Sequence, residues 1–424
     1  MSSGTLTARR RPLLASQAPN ARRHKPDYWL LMLSALLLAI GLIVVYAISP
    51  GLAVENHVSG SYYVSRQAVA VVLSIVAFSV TAVVPVRRWK QWQTPLLLVA
   101  AALTLFALIL PTNPQYPAHR WIRVGGMSFQ SVELLKFALL IWIAGMLSDR
   151  VAQGVIQNVK ATLKPLGIGL LVVGAVVAGV QSDFGSMMVI TAMATAMVFV
   201  AGMPMKRLAM IGGILALCGV LAISAVPYRR ARIEAFLHQD TSNCAQLSSG
   251  YQACQALIAV GSGGMVGLGL GKSVQAFGYL PEAENDSIFA IYAEKFGFIG
   301  CGVLLGLFLA FFSRIKRVME RAPDDFTRLL ATGVFAWLTA QSLINIGAMV
   351  GLLPLKGITL PFISYGGTSV LLVMAAVGLL FQISRYTLFS VPRQAEVKRR
   401  ISYEGSGDRR RVGRAYNPGT GSRA

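Results

Sequence analysis

The sequence predicts an all-α polytopic integral membrane protein of about ten transmembrane helices, with a large ordered extracytoplasmic loop between helices 7 and 8. Three observations predict it. Hydrophobic residues make up 55% of the chain and charged residues 13%, and apolar runs of membrane-spanning length recur from Trp29 to Arg385. Those runs are also continuous rather than alternating. Lipid offers backbone N–H and C=O groups no hydrogen-bond partners, so only helices and closed barrels can span a bilayer. A helix needs about 20 apolar residues to do so, and unalternating runs select the helix.

The chain opens with an Arg- and Pro-bearing tail, residues 1–27, too poor in bulky apolar side chains to build a core and expected to be disordered. The first apolar run, Trp29 to Ile48, exceeds the ~7–15 residues of a signal-peptide core, so it is expected to stay as an anchor. Further spans are expected at Gln67–Val84, Pro95–Leu110, Val132–Leu147, Leu166–Val180, Met187–Ala201, Leu208–Val226, Ile288–Phe312, Phe326–Met349 and Gly367–Ile383. A second basic tail, residues 387–424, closes the chain and is expected to be disordered, leaving residues 28–386 as the membrane domain.

Ten spans put both termini on one side, and the Lys/Arg bias of the loops says which. Of the 39 lysines and arginines, 29 fall in the tails and loops on the side of the termini and 8 on the other. Both tails are therefore expected in the cytoplasm. Much of the net charge of +22 reports topology and attraction to anionic lipid. The basic residues are scattered over short loops and tails without a recognition module, which argues against nucleic acid as a partner.

The same bias puts residues 227–286 outside the cytoplasm as one long loop, and loops of that length without function are uncommon. Its opening, from Tyr228 to Leu237, spaces Ile233, Phe236 and Leu237 at helical intervals beside Arg229, Arg230 and Arg232, as an interfacial helix would. Cys244 and Cys254 both lie in this loop, where an oxidising compartment would permit a disulfide contributing roughly 2–3 kcal/mol. Gly271-Lys272-Ser273 is not a phosphate-binding P-loop, because Val266 stands where that motif requires glycine. The glycines between 261 and 271 suit close backbone approach and tight turns instead.

The loop ends in the richest acidic stretch, with Glu282, Glu284 and Asp286 just ahead of the apolar run from Ile288. Asp286 has two readings. An Asp at the start of a membrane helix caps it, and a carboxylate at the lipid–water boundary can serve as a general base. Glu133 and Lys136, three apart, either neutralise each other within the membrane or belong to a site. Gln252 and Gln255 share a helical spacing and could offer amides to sugar hydroxyls or to water.

Eight motifs across residues 28–386 carry a resemblance: His119-Arg-Trp-Ile, Phe129-Gln-Ser-Val-Glu-Leu-Leu-Lys136, Gln181-Ser-Asp-Phe-Gly-Ser186, Tyr228-Arg with Arg232, Gly250-Tyr-Gln, Tyr279-Leu-Pro-Glu-Ala-Glu-Asn-Asp286, Gly297-Phe-Ile-Gly300, and Asn345-Ile-Gly with Leu353 through Gly367. In these the chain resembles the SEDS family of peptidoglycan polymerases, the FtsW and RodA type. Lys356-Gly-Ile-Thr-Leu-Pro and the long basic tails are closest to its division-type FtsW branch. The family usually has His where Glu284 stands, and this extra acid beside Asp286 alters the expected charge of the site.

The resemblance implies a glycosyltransferase that polymerises lipid II into β-1,4 glycan strands on the outer face of the cytoplasmic (inner) membrane, at the division septum. The growing undecaprenyl-pyrophosphate-linked glycan loses its carrier to the acceptor sugar's 4-hydroxyl. Asp286 is the implied catalytic residue. Arg120, Trp121, Glu133, Lys136, Arg229, Arg232, Gln252, Gln255, Lys272, Glu282 and Lys356 are the implied substrate-binding positions. The implied partners are a class B penicillin-binding transpeptidase and other division proteins. No cofactor is firmly expected beyond a divalent cation, Mg²⁺ or Mn²⁺, on the pyrophosphate.

Elementary chemistry is compatible with this. A sugar hydroxyl must lose its proton as the new bond forms, which one carboxylate can accept. Glycosidases need a second carboxyl as acid, but pyrophosphate is already a good leaving group, and cations can stabilise its departure. A lipid II flippase and a non-catalytic division scaffold are the alternatives. Transporters commonly bind near the midplane between internal repeats, whereas the densest acidic cluster here lies at the outer edge. A scaffold would leave that cluster without a task.

Overall fold

In a computed structural model, the described residues are 21–110, 120–124, 127–210, 250–355 and 357–388, with the isolated positions 212, 213, 234 and 236. Helices dominate: α1 (Tyr28–Glu55), α2 (Tyr62–Val83), the short α3 (Val86–Gln91), α4 (Gln93–Ile109) and α5 (Ser131–Ala152) come first. They are followed by α6 (Lys164–Gly174), flanked by wider π-helical turns at Val159–Leu163 and Ala175–Val180, and then by α7 (Phe184–Val200). Beyond residue 250 come α8 (Tyr251–Ser262), α9 (Ile288–Arg321), α10 (Asp325–Met349) and α11 (Gly367–Ile383).

Among the described residues, six helical stretches are long and apolar enough to cross a membrane, and α4, α7 and α11 are apolar helices of 17 residues each. All nine coincide with spans expected from the sequence. The remaining one, Leu208–Val226, falls largely outside the described residues, as does the start of the long loop. α5, α10 and α11 are buried along most of their length and form the centre, while Val159–Val180 lies at the rim with its apolar side chains outward.

A short segment ahead of the boundary expected at residue 28 joins the fold. β1 (Ala21–Arg23) pairs antiparallel with β4 (Tyr386–Leu388), so the last part of the tail read as disordered is built into the fold. Asp27 explains why. Its side chain accepts from the Trp29 backbone at the start of α1 and from both Nε and a terminal nitrogen of Arg314 on α9, at 2.9 and 2.5 Å. Its own N–H donates to Ser384 Oγ at 2.9 Å. A second ribbon, β2 (Trp121–Val124) with β3 (Met127–Gln130), leads into α5.

The expected single span from Ile288 is also interrupted. Gly297 breaks α9 with φ +64 and ψ −166, dividing it into a short segment before the break and a long one after it. The glycine-rich loop that follows α8 fills the break: Leu268 and Gly269 donate to the carbonyls of Glu294 and Lys295 at 2.9 and 3.0 Å, and Phe298 and Ile299 donate to those of Gly264 and Met265 at 2.9 and 3.1 Å. A Cβ at Gly297 would lie 2.4 Å from the Gly267 nitrogen, so only glycine permits the approach.

Two buried charges pin the same loop. Glu294 accepts from Val274 N at 2.8 Å, from Gln275 N at 3.2 Å and from Ser273 Oγ, and Lys295 donates to the Leu270 carbonyl at 2.7 Å. Ionisable groups in a membrane helix are costly unless satisfied. Here they hold the loop to the helix.

Candidate active site

The loop pinned by Glu294 runs on into a compact series of turns, residues 281–287, that ends at α9. Asp286 is the penultimate residue, half-buried. It does not occupy the helix cap: Ser287 is the N-cap residue, and its hydroxyl donates to the Pro281 carbonyl at 2.9 Å rather than capping the helix. The capping reading of Asp286 fails because the turns bring the chain into the helix one residue later.

Two amides hold Asp286. On α8, Gln252 donates from Nε2 to Asp286 Oδ1 at 3.2 Å and to Ser287 Oγ at 3.0 Å. On α10, Asn345 donates from Nδ2 to the Asp286 carbonyl at 2.7 Å and to the Ile358 carbonyl at 2.6 Å. Gly357 closes the other side, with the position of its absent Cβ 3.6 Å from Asp286 Oδ2.

The turns and the segment 357–366 are stitched together further. Ser364 Oγ donates to the Asn285 carbonyl at 2.6 Å, and Tyr365 N donates to the Glu284 carbonyl at 2.8 Å. Gln341, one turn before Asn345 on α10, donates to the carbonyl and hydroxyl of Thr359 at 3.0 and 3.2 Å. Its Oε1 accepts from Lys136 at 3.1 Å and from the Trp337 indole at 2.7 Å. Lys136 in turn donates to Glu133 at 2.7 Å, with both side chains almost fully buried. The Glu133–Lys136 pair is therefore continuous, through Gln341, with the segment that covers Asp286.

Glu282 stands at φ +53, and its side chain accepts from Asn285 Nδ2 at 2.5 Å, bracing the turn. Glu284 is mostly withdrawn from water. Burial, with added repulsion from Glu282 and Glu55, pushes its carboxyl from 4.5 up to about 7.

The other expected positions are placed differently. Arg120 donates from Nε to the Gln181 carbonyl at 2.9 Å and from a terminal nitrogen to the Ser182 carbonyl at 2.6 Å, which fastens it to the entrance of α7. Trp121 is 37% exposed on β2, and Lys272 is exposed on the glycine-rich loop. Gln255 is buried on α8, one turn beyond Gln252. Arg229, Arg232, Lys356 and Cys244 lie outside the described residues; Cys254 takes part in a disulfide.

In the sequence, Asn345 stands out only as the head of the Asn345-Ile-Gly motif, with no role, and Gln341 not at all. The signal was there: two carboxamides four residues apart in an otherwise apolar span are costly unless they have partners. Among the described residues there is no group of three or more His, Cys, Asp or Glu side chains that could hold a metal ion.

Fold and site define a polytopic helical membrane protein with a carboxylate fixed in a turn at one end of its bundle. A family model described as "Cell cycle protein", spanning FtsW, RodA and SpoVE, matches residues 28–388. The chain belongs to the FtsW/RodA/SpoVE family. It is 36% identical over 385 residues to a protein of Thioalkalivibrio sp. (strain K90mix) named "Probable peptidoglycan glycosyltransferase FtsW", covering 89% of this chain and 94% of that one. It is 35% identical to stage V sporulation protein E of Bacillus subtilis (strain 168), over 87% of this chain and 99% of that one. Among solved structures, a chain of a peptidoglycan synthase complex aligns with TM-score 0.68 at 24% identity, over 85% of this chain and 98% of that one. The rod shape determining protein RodA of Thermus thermophilus aligns with TM-score 0.61 at 25% identity, over 85% and 97%.

Proposed function

We propose that this protein is a peptidoglycan glycosyltransferase that polymerises lipid II into β-1,4 glycan strands, with Asp286 as general base. The observation that carries this reading is the double suspension of Asp286, its carboxylate from Gln252 and its backbone from Asn345, in a chain that matches glycosyltransferase relatives over nearly their whole length. A base must be held within hydrogen-bond reach of the proton it takes, and of two amides from separate helices one bonds this carboxylate and the other its backbone, which restricts where it sits. The acceptor's 4-hydroxyl gives its proton to Asp286 as its oxygen bonds the donor's anomeric carbon, and undecaprenyl pyrophosphate departs with the bonding electrons.

The basic side chains Arg229, Arg232, Lys272 and Lys356 supply positive charge for that pyrophosphate, and Arg120 and Trp121 shape the approach. Ten spans with cytoplasmic tails put Asp286 on the outer face, where septal wall is made. The partner is a class B penicillin-binding transpeptidase, which cross-links the strands. Cys244 is the disulfide partner of Cys254.

The test is glycan polymerisation from lipid II by the purified protein with its transpeptidase, comparing wild type with Asp286→Asn. The expected result is long strands from wild type and none from a folded, partner-binding variant. Equal polymerisation by both would move the base to Glu282 or Glu284. Transfer of lipid II across the bilayer without any polymerisation by wild type would favour a flippase.

A further inference from the structure

The end of the bundle away from Asp286 carries a pocket that the glycosyltransferase reading does not use. Beyond the break at Gly297, α9 runs on for 24 residues, about 36 Å of helix, long enough to put its far end and Asp286 near opposite membrane surfaces. There, between the start of α1, the end of α9 and the residues after α11, is a cavity of about 360 Å³. That volume lies within the usual range for small-molecule sites.

Its lining is strongly basic. Arg314, Arg317 and Arg321 follow one another at intervals of three and four along one face of α9, and Lys25 comes from the segment before α1. Asp27 is the one acid in the lining, and it is already engaged by Arg314. Four Lys and Arg side chains against one carboxylate leave the lining strongly positive. Among the described residues, Lys25, Arg317 and Arg321 have no carboxylate within ion-pair distance, although Lys316 on the neighbouring face of α9 is paired with Glu320. Tyr28 and Trp29, both exposed, stand at the pocket's edge where α1 enters the membrane, as interfacial aromatics do.

We infer that this pocket binds the headgroup of an anionic phospholipid carrying two phosphates, taken from the leaflet opposite Asp286. Guanidinium groups pair with phosphate oxygens in bidentate fashion. Basic pockets between membrane helices at the cytoplasmic surface have the chemistry for cardiolipin-type headgroups. A single phosphate would leave much of the positive charge unanswered, and a bilayer lipid presents its phosphates at this depth while its chains lie along the outer faces of α1 and α9. The inference stands apart from the glycosyltransferase reading and needs only the membrane orientation of the helices.

The experiment is lipid retention by the full-length protein, read by native mass spectrometry, with cardiolipin, phosphatidylglycerol and phosphatidylcholine offered in turn. Wild type is compared with Arg317→Gln/Arg321→Gln and with each single arginine variant, and with Lys316→Gln as the control that removes one charge from the neighbouring face. Both arginines are exposed and their replacement leaves the core untouched. Cardiolipin is expected to be retained over phosphatidylcholine by at least tenfold. The double variant should lose affinity by about fivefold for each arginine removed, and Lys316→Gln should match wild type. Equal retention by wild type and the double variant would overturn the site. Displacement of cardiolipin by equimolar inorganic pyrophosphate would overturn the lipid assignment in favour of a soluble phosphate.

Discussion

Asn345 suspends Asp286 by its main chain: one carboxamide nitrogen donates to the carbonyls of Asp286 and Ile358, at 2.7 and 2.6 Å, and so ties the reactive turn to the segment that covers it. Replacement by Leu keeps the volume but orphans two carbonyls. Asn345→Leu is expected to lower polymerisation roughly 10²-fold by misplacing the carboxylate, with a stability loss of about 1–3 kcal/mol for each group left unpaired. Single-turnover rates measured beside lipid II binding check this. Loss of binding with an unchanged rate would show that Asn345 serves the substrate and not the base.

The Glu133–Lys136 pair makes a different prediction. Removing one partner from a buried ion pair leaves an uncompensated charge and costs about 3–5 kcal/mol, whereas removing both can be nearly neutral. Lys136→Met alone should destabilise strongly, and Glu133→Gln/Lys136→Met should recover most of the loss. Denaturation midpoints in detergent read both. Because Gln341 links the pair to Thr359, activity should recover less completely than stability.

Glu284 predicts a pH dependence. Its carboxyl holds a proton up to about pH 7 in the fold, but has the ordinary value of 4.5 when the chain is unfolded. Between those values the folded state binds more protons, so stability falls as pH rises from 4.5 to about 7. Glu284→Gln should flatten that slope, leaving the melting temperature near wild type at about pH 4.5 and raising it above wild type at about pH 8. Identical slopes for the two proteins would remove Glu284 from the account.

Gly297 predicts a local intolerance. Alanine there must adopt a positive-φ, extended-ψ backbone that is essentially confined to glycine, costing about 1–3 kcal/mol, and places its methyl 2.4 Å from a backbone nitrogen. Gly297→Ala should therefore reduce the yield of folded protein, while Gly302→Ala, whose new methyl meets nothing within 4 Å, should not. Size-exclusion profiles of the two variants decide it.

These residues also mark where the sequence is legible. Nine apolar runs could be read as helices because continuous hydrophobicity and the absence of backbone partners in lipid leave no other structure. Glu133 and Lys136 could be read as a pair because they are three apart on one helix. The break in α9 could not be read, since Gly297 is one of four glycines in the same apolar run, with Gly300, Gly302 and Gly306, and nothing local distinguishes it. What makes Gly297 a break is Gly267, thirty positions earlier in the chain. Asp286 was assigned two readings for a similar reason: spacing alone cannot say whether the helix starts at 286 or 287, and that one residue separates a cap from a suspended carboxylate. Asn345 enters the sequence reading only as the start of a family motif and Gln341 not at all, because their partners lie on segments whose approach only the fold specifies.

The splice between the glycine-rich loop and α9 constrains what length changes the chain can accept. Connections between helices are ordinarily the places where insertions do least harm. Here residues 264, 265, 268 and 269 each answer a particular position from 294 to 299, so one residue added between Met265 and Leu268 puts one pair of those bonds out of register with the other. The stretch behaves as an inlaid part of the helix, with a length as fixed as the helix's own, and variation in loop size must be sought upstream of Gly250.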